Sequence, residues 1–332
     1  MHQPEKQQNT LRKWLKRLLI ILAVYCVSSV LLSAVMFRVL FPRKDGISPV
    51  RWNYEEIDRT AYPRERFQFR SGSNLLTGYR YPAADAKGLI VVVNGVGAGA
   101  DAHLAEIMYF VEHGWSAVTW DATGIGESEG RGLIGLQQIR LDLLAFLEKL
   151  PDLSGGLPVV LYSHSAGAYA AATTLACDTP VRGAVCLCGF NSPVSLMFYH
   201  ARQRVGLLAD LQYPFLLLEN RLLFGENADI SAVEALRNSS VPVLLIECNS
   251  DDYVPHEQGL LQDLTALTGA DIRMITVDTA WRNEHNTPWL SSSAAEYVGS
   301  LEKNAPADKA RANELDPDFM ALILDFFDAA VR

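Results

Sequence analysis

The chain has 332 residues, 49% of them hydrophobic and 20% charged, with a formal net charge of −9. That composition suits a globular protein long enough for one large domain or two small ones. Without a basic stripe or aromatic–basic interleaving, it speaks against a nucleic-acid partner. The five cysteines (Cys26, Cys177, Cys186, Cys188 and Cys248) form no Cys-x-x-Cys pair. We expect all five as buried small hydrophobes rather than a metal site or disulfide framework. Cys186 and Cys188 should share one face of a strand by its two-residue period.

Residues 18–37 contain no charge. Twenty residues at about 1.5 Å each reach about 30 Å, the thickness of a bilayer core. The run lacks the polar face of a core helix, and the short apolar core and small-x-small cleavage site of a signal peptide. It reads as an uncleaved single-pass anchor over 18–40, behind a basic tail at 1–17. Lys6, Arg12, Lys13, Lys16 and Arg17 precede the run; Arg38, Arg43, Lys44 and Arg51 follow it. The excess before the span places the N-terminus in the cytoplasm and the bulk of the chain outside, at the cell membrane. Residues 41–65, with Pro42, Pro49 and Pro63, read as a linker into a domain over 66–332.

Within that domain, 67–70 and 75–81 alternate around Ser71-Gly72-Ser73-Asn74, a hairpin signal. Leu89–Val93 is a continuous apolar run, expected of a strand buried on both faces. It ends in the glycine-rich turn 94–100. A helix is predicted over 103–112, a strand over 116–120 and a turn-rich loop over 121–130. Leucine spacing predicts a helix over 136–150. Leu157–Tyr162 then reads as a buried strand that meets small residues, Ser163-His164-Ser165-Ala166-Gly167, and an alanine-rich helix. Strands follow at 184–188, 241–246 and 272–277, with a helix near 258–267 before the last. Residues 191–238 are rich in Leu, Phe and Tyr at helical spacing and read as a helical cap. The chain ends in a charged linker (302–316) and an amphipathic helix (317–331). Strands alternating with helices predict an α/β architecture: a mostly parallel sheet with helices on both faces.

A serine at the tip of a strand–turn–helix unit suits a nucleophile, because the turn exposes its hydroxyl and aims the helix N-terminus at the reaction centre. Such a serine needs a base, an orienting acid and an oxyanion hole. The strand ending at Ile246 runs into Glu247-Cys248-Asn249-Ser250-Asp251-Asp252-Tyr253-Val254-Pro255. The strand ending at Val277 runs into a loop holding His285-Asn286-Thr287-Pro288. An acid and a histidine therefore follow the serine in order, each just past a strand. Among the acids, Asp251, Asp252 and Glu247 stay open on this ground alone. Among the histidines, His256 comes early for the strand that supplies a base, and His164 sits inside the elbow. His103, His113 and His200 read as structural, and Asp121 and Ser128 as loop stabilisers.

These motifs resemble the α/β-hydrolase superfamily, especially membrane-anchored bacterial hydrolases of the serine aminopeptidase-like and lysophospholipase-like groups, over residues 65–300. The family's acid loop, Gly-x-x-Asp-x-x-Val-Pro, matches 248–255 with Cys248 in place of glycine, and its register selects Asp251. Its His-x-x-Pro ending matches 285–288, and its Asp-x-x-Gly-x-Gly-x-Ser-x-Gly loop matches 121–130. Its His-Gly oxyanion turn stands here as Asn94-Gly95. The resemblance implies a Ser165–His285–Asp251 triad, with backbone N–H groups of Val96 and Ala166 as the oxyanion hole and no cofactor or metal. It implies a serine hydrolase of carboxylic esters, with a small-molecule or lipid-like acyl substrate. A peptidase or amidase, an acyltransferase, and a silent fold used for binding are the alternatives. Natural substrate and oligomeric state are not legible.

Overall fold

The apolar runs form the middle of one eight-stranded sheet. The computed structural model describes residues 3–261, 271–302 and 305–332. In chain order the elements are α1 (Gln3–Val39), β1 (Glu65–Ser71), β2 (Asn74–Tyr81), β3 (Leu89–Val93), α2 (Leu104–Glu112), β4 (Ser116–Trp120), α3 (Gln137–Ser154), β5 (Val159–His164) and α4 (Ala166–Thr174). Then come β6 (Val181–Leu187), α5 (Pro193–Val205), α6 (Leu208–Phe224), α7 (Ala232–Arg237), β7 (Val243–Cys248), β8 (Ile272–Val277), α8 (Ser292–Ser300), α9 (Lys309–Ala312) and α10 (Pro317–Ala330).

The strand order is β1-β2-β4-β3-β5-β6-β7-β8. β1 and β2 form the expected hairpin, β2 joins β4 antiparallel, and every later pair is parallel. Alternate residues of β3 and β5 feed two cores. Val91, Val93 and Leu161 pack with Leu143, Phe146 and Tyr169 on one face. Val92, Val160 and Tyr162 pack with Ile107, Phe110, Ile323 and Phe327 on the other. Both faces of the central strands are thus dry, which is why they read as unbroken apolar runs. All nine residues of α4 are buried, as its lack of a polar face requires. The connection out of β3 runs to β4 on one side, and the connection out of β5 runs to β6 on the other. That reversal opens a crevice at the C-terminal ends of β3 and β5.

Several expectations are corrected. Residues 3–17, expected as a tail, are already helical and continuous with the apolar run in α1. The stretch 41–65, expected as a linker, is packed on the domain. The Arg43 guanidinium donates to the carbonyls of Gly126, Ser128 and Gly130, each at 2.8 Å, and Arg51 donates to the Asn286 carbonyl at 2.7 Å. The charged stretch 302–316 holds the short helix α9. The helix expected near 258–267 lies largely outside the described residues; Gln258 itself closes a 3-10 turn, His256–Gln258. Cys177 is exposed and Cys26 half-buried. Cys186 and Cys188 face opposite cores, because β6 ends at Leu187 and Cys188 takes a positive φ of 49° that breaks the alternation. Cys188 meets Cys248 instead, sulfur to sulfur at 3.5 Å.

Residues 191–238 carry α5, α6 and α7 and no strand among the described residues. α5 begins at Pro193, with the Ser192 hydroxyl accepting the Ser195 amide, a capped start with proline in the first turn. It roofs the β7 end of the crevice through two bonds. Ser195 Oγ donates to Gln258 Oε1 at 2.7 Å, and His200 Nε2 lies 2.9 Å from the Tyr253 carbonyl oxygen.

Candidate active site

β5 stops at His164, and the next residue carries the strain of the turn. Ser165 has φ 58° and ψ −120°, a region that a non-glycine residue enters rarely. Such a conformation costs of order 1–3 kcal/mol and persists only where its surroundings enforce it. Here the Ser165 amide donates to the Leu187 carbonyl at 2.8 Å, and the start of α4 presses on β3. A Cβ on Gly167 would lie 2.1 Å from the Val93 carbonyl oxygen, so only glycine fits. Ser163, where glycine is usual, is accommodated for a local reason. Its hydroxyl is fully buried and donates to the Val185 carbonyl at 2.7 Å.

Ser165 occupies the N-cap position of α4, yet its hydroxyl caps no amide. It lies 2.9 Å from Nε2 of His285 instead. The other ring nitrogen, Nδ1, is 2.6 Å from Oδ2 of Asp251. The second carboxylate oxygen of Asp251 accepts the amides of Tyr253 at 2.9 Å and Val254 at 2.8 Å. Oδ1 is thus fixed as an acceptor, which leaves Oδ2 to accept from Nδ1–H and directs the Nε2 lone pair at the serine. Asp251 and His285 are buried and Ser165 is half-buried.

The rival acids and histidines lie elsewhere. Asp252 is exposed. Glu247 is turned to the Leu261 amide at 2.6 Å and to His256 at 3.3 Å, and burial raises its carboxyl above the usual range. His256 is largely exposed. His164 lies beneath the site, its Nε2 2.9 Å from the His285 carbonyl oxygen. Burial, and then the neighbouring His285 and His103, hold His164 well below the ordinary histidine value. It is a neutral donor that fixes the backbone of the residue above it.

The Asn94–Val96 turn abuts the elbow: a Cβ on Gly95 would come 3.1 Å from Ser165 Cβ. The Asn94 side chain ties that turn to β4, donating to Thr119 Oγ1 and to the Gly99 carbonyl, both at 3.1 Å. Among the described residues, neither the Val96 nor the Ala166 amide is engaged by a hydrogen bond. The N-terminus of α4 beside a serine hydroxyl favours negative charge there. Asp121 and Ser128 are engaged in holding their loop together and tying it to β2 and to Ala100. Asp121 accepts the amides of Ala100 and Glu127, and Ser128 Oγ donates to the Asp121 carbonyl and accepts the Thr77 amide.

Sequence reasoning passed over Arg51 and Tyr253. Arg51 is buried, reaches the Asn286 carbonyl and stacks on Trp289 at 5.3 Å, holding the histidine loop from below. Tyr253 is exposed, with its ring 5.1 Å from that of His285. Arg51 lies in no motif, and Tyr253 fills a position that the acid-loop motif leaves unspecified. One cluster has donors for a cation: atoms of His164, Cys188 and His285 lie within 4.8 Å of one another. The set suits a metal poorly. Both nitrogens of His285 are engaged, and the Cys248 thiol and burial hold the Cys188 thiol well above its ordinary value, against the thiolate a metal needs.

A family model described as serine aminopeptidase, S33, matches residues 84–233, which include Ser165 and stop short of Asp251 and His285. No curated protein matches the chain in sequence. Among solved structures, the esterase Pf2001 of Pyrococcus furiosus is 15% identical with a TM-score of 0.55, over 74% of this chain and 89% of that one. The acylaminoacyl peptidase of Pyrococcus horikoshii is 18% identical with a TM-score of 0.55, over 84% of this chain and 43% of that one. TT1662 of Thermus thermophilus is 16% identical with a TM-score of 0.53, over 82% of this chain and 98% of that one. At these identities the likeness is one of fold.

Proposed function

We propose that this chain, which has the α/β-hydrolase fold, is a serine hydrolase of carboxylic esters. The observation that carries the reading is the continuous bonded row Asp251–His285–Ser165 beside the free amides of Val96 and Ala166. In this reading His285 Nε2 takes the Ser165 proton as Oγ attacks an acyl carbonyl carbon. The carbonyl oxygen gains negative charge and accepts hydrogen bonds from the two amides; losing one such donor typically costs about two to three decades in rate. The tetrahedral adduct collapses, the alkoxide leaves with the proton from His285, and Ser165 keeps the acyl group. Water, deprotonated by the same histidine, then releases the carboxylic acid and restores the serine. Asp251 does not ionise anew; it holds the imidazole in place.

A lipid-like acyl substrate is favoured by α1, a helix long and apolar enough to cross a membrane. In this reading α1 is a single-pass anchor at the cell membrane, with the N-terminus in the cytoplasm and the domain outside. A peptidase on the same three residues is the second reading, supported by the family model over 84–233.

The test is labelling by a fluorophosphonate probe in detergent, with Ser165→Ala as control. The wild type should label and the variant should not. Failure of the folded wild type to label would overturn the hydrolase reading. Turnover of p-nitrophenyl esters against aminoacyl anilides then separates the two substrate classes.

A further inference from the structure

The anchor and the cap are one packed unit. The Gln212 side chain of α6 donates to the Ser29 carbonyl and to Ser33 Oγ, both at 2.7 Å. The Tyr25 hydroxyl donates to the Leu211 carbonyl, and its ring meets Phe215 edge-on at 5.4 Å. Phe37 is fully buried among Val194, Leu216, Phe224 and Ala228. Arg38 pairs with Glu219 at 3.5 Å. α6 therefore lies along α1 from Tyr25 to Arg38, about 20 Å of helix. The apolar run begins at Leu18, so only Leu18–Val24 stands clear of the cap. Those seven residues reach about 10 Å, one third of a bilayer core. If the apolar run crosses a membrane, the cap helix beside it lies at membrane depth.

α6 is built for that position. Three of its polar side chains turn inward: Gln212 to α1, Glu219 to Arg38, and Asn220, fully buried, to Gln137 and the Ala228 carbonyl, while Asp210 at one end and Arg221 at the other stay accessible. Its outward face is apolar. Leu208, Leu211, Leu218 and Leu222 recur at helical spacing, and Leu207, Leu208 and Leu222 are 73%, 68% and 70% exposed. The row continues onto α1, where Val24, Val27, Leu31 and Val35 are exposed too. Arg202 pairs with Asp210 at 3.8 Å at the corner between α5 and α6, and Arg204 lies beside it, about 10 Å from the Leu18 end of the run, within reach of the headgroups on that side.

We infer that the outward face of α6 is immersed in the acyl-chain region of the bilayer, so that lipid, and neither water nor another protein, covers this face. α5, which meets α6 at their corner, is bonded to the acid loop through Ser195 and His200. The immersed face thereby leads from the bilayer to the crevice above Ser165. The inference rests on α1 crossing the membrane and is independent of the chemistry at Ser165.

The test uses the full chain in phosphatidylcholine–phosphatidylglycerol vesicles, with Cys26→Ser and Cys177→Ser as background. An environment-sensitive fluorophore is placed on Leu208→Cys, on Leu222→Cys and, as the span reference, on Ile21→Cys. The native Cys177, in a Cys26→Ser chain, is the water reference. Lipids with a nitroxide on the acyl chain should quench the label at 208, 222 and 21 and leave that at Cys177 bright. Quenching at 21 without quenching at 208 and 222 places the cap in water and overturns the inference. No quenching at 21 removes the crossing helix, and the inference with it. Labels at 208 and 222 shielded from both lipid nitroxides and aqueous iodide, with doubled mass in light scattering, would mean that a second copy covers the face, which also overturns it. A Leu207→Asp, Leu208→Asp, Leu211→Asp chain should lose hydrolysis of vesicle-borne acyl lipids and keep that of soluble p-nitrophenyl acetate. Equal rates on both substrates in this variant and the wild type would refute a role for this face in lipid access.

Discussion

Asp251→Asn isolates what the carboxylate does. Oδ1 of Asp251 accepts two backbone amides, from Tyr253 and Val254. An asparagine keeps those bonds by placing its carbonyl oxygen there, which turns its NH2 toward Nδ1 of His285. A donor facing Nδ1 makes that nitrogen an acceptor, so the ring proton moves to Nε2, the atom 2.9 Å from the Ser165 hydroxyl. The base is then occupied, although nothing in the packing has moved. The corresponding substitution in a serine protease lowers kcat about 10⁴-fold, which corresponds to about 5.5 kcal/mol of barrier. We expect a loss of that order in kcat on a p-nitrophenyl ester. The denaturation midpoint should stay close to that of the wild type. Asp252→Asn, at an exposed neighbour, should leave kcat within about twofold, since surface changes of this kind perturb little. An Asp251→Asn enzyme within tenfold of wild-type kcat would refute the assignment of the orienting acid.

Three further outcomes follow from the same geometry. Gly167→Ala places a methyl 2.1 Å from the Val93 carbonyl; overpacking should destabilise the fold by about 1–3 kcal/mol, read from urea denaturation. Ser163→Gly removes a buried hydroxyl that donates to Val185. It should destabilise by about 0.5–1 kcal/mol while fluorophosphonate labelling persists, because the elbow accepts glycine there. Burial holds the His164 pKa below its unfolded value, so the unfolded chain binds the proton that the native chain refuses. Its contribution is complete above about pH 6.5 and is lost as pH falls, by up to about 1.4 kcal/mol per pH unit. His164→Gln should flatten that slope in denaturation midpoints between pH 6.5 and 5.5; an unchanged slope would show that another group carries it.

Much of the fold was legible because its strands carry local signals. β3 and β5 are buried on both faces and so read as unbroken apolar runs. The β1–β2 hairpin alternates because part of one face stays wet. The order of strands was not legible: β4 lies between β2 and β3 because of how α2 crosses the sheet, and no residue in β4 encodes its neighbour. At the site, the strand ends bearing Ser165, Asp251 and His285 were readable from spacing. The choice among Asp251, Asp252 and Glu247 depends on which carboxylate meets the Tyr253 and Val254 amides, a matter of loop conformation. Cys188 was misassigned to the face of Cys186 because the two-residue period holds only while the strand lasts, and it stops one residue earlier. The contact of α1 with α6 was invisible for a different reason. An apolar surface left exposed and one turned to protein have the same composition, and only Gln212, Tyr25 and Arg38 mark where one becomes the other.

The stretch between α1 and the sheet changes how a shortened fragment of this protein should be cut. A fragment begun at Glu65 would retain the whole sheet together with Ser165, Asp251 and His285. It would lack Arg43, whose guanidinium gathers three carbonyls of the 126–130 loop, and Arg51, whose guanidinium holds the carbonyl next to His285. Those carbonyls would turn to water, and the histidine loop would lose its lower support while every catalytic candidate stayed in the chain. Inactivity of such a fragment would therefore say nothing about the chemistry. A cut just before Pro42 retains both arginines but still strips Phe37 and the rest of α1 from the cap, so the full chain is the form on which the site is judged.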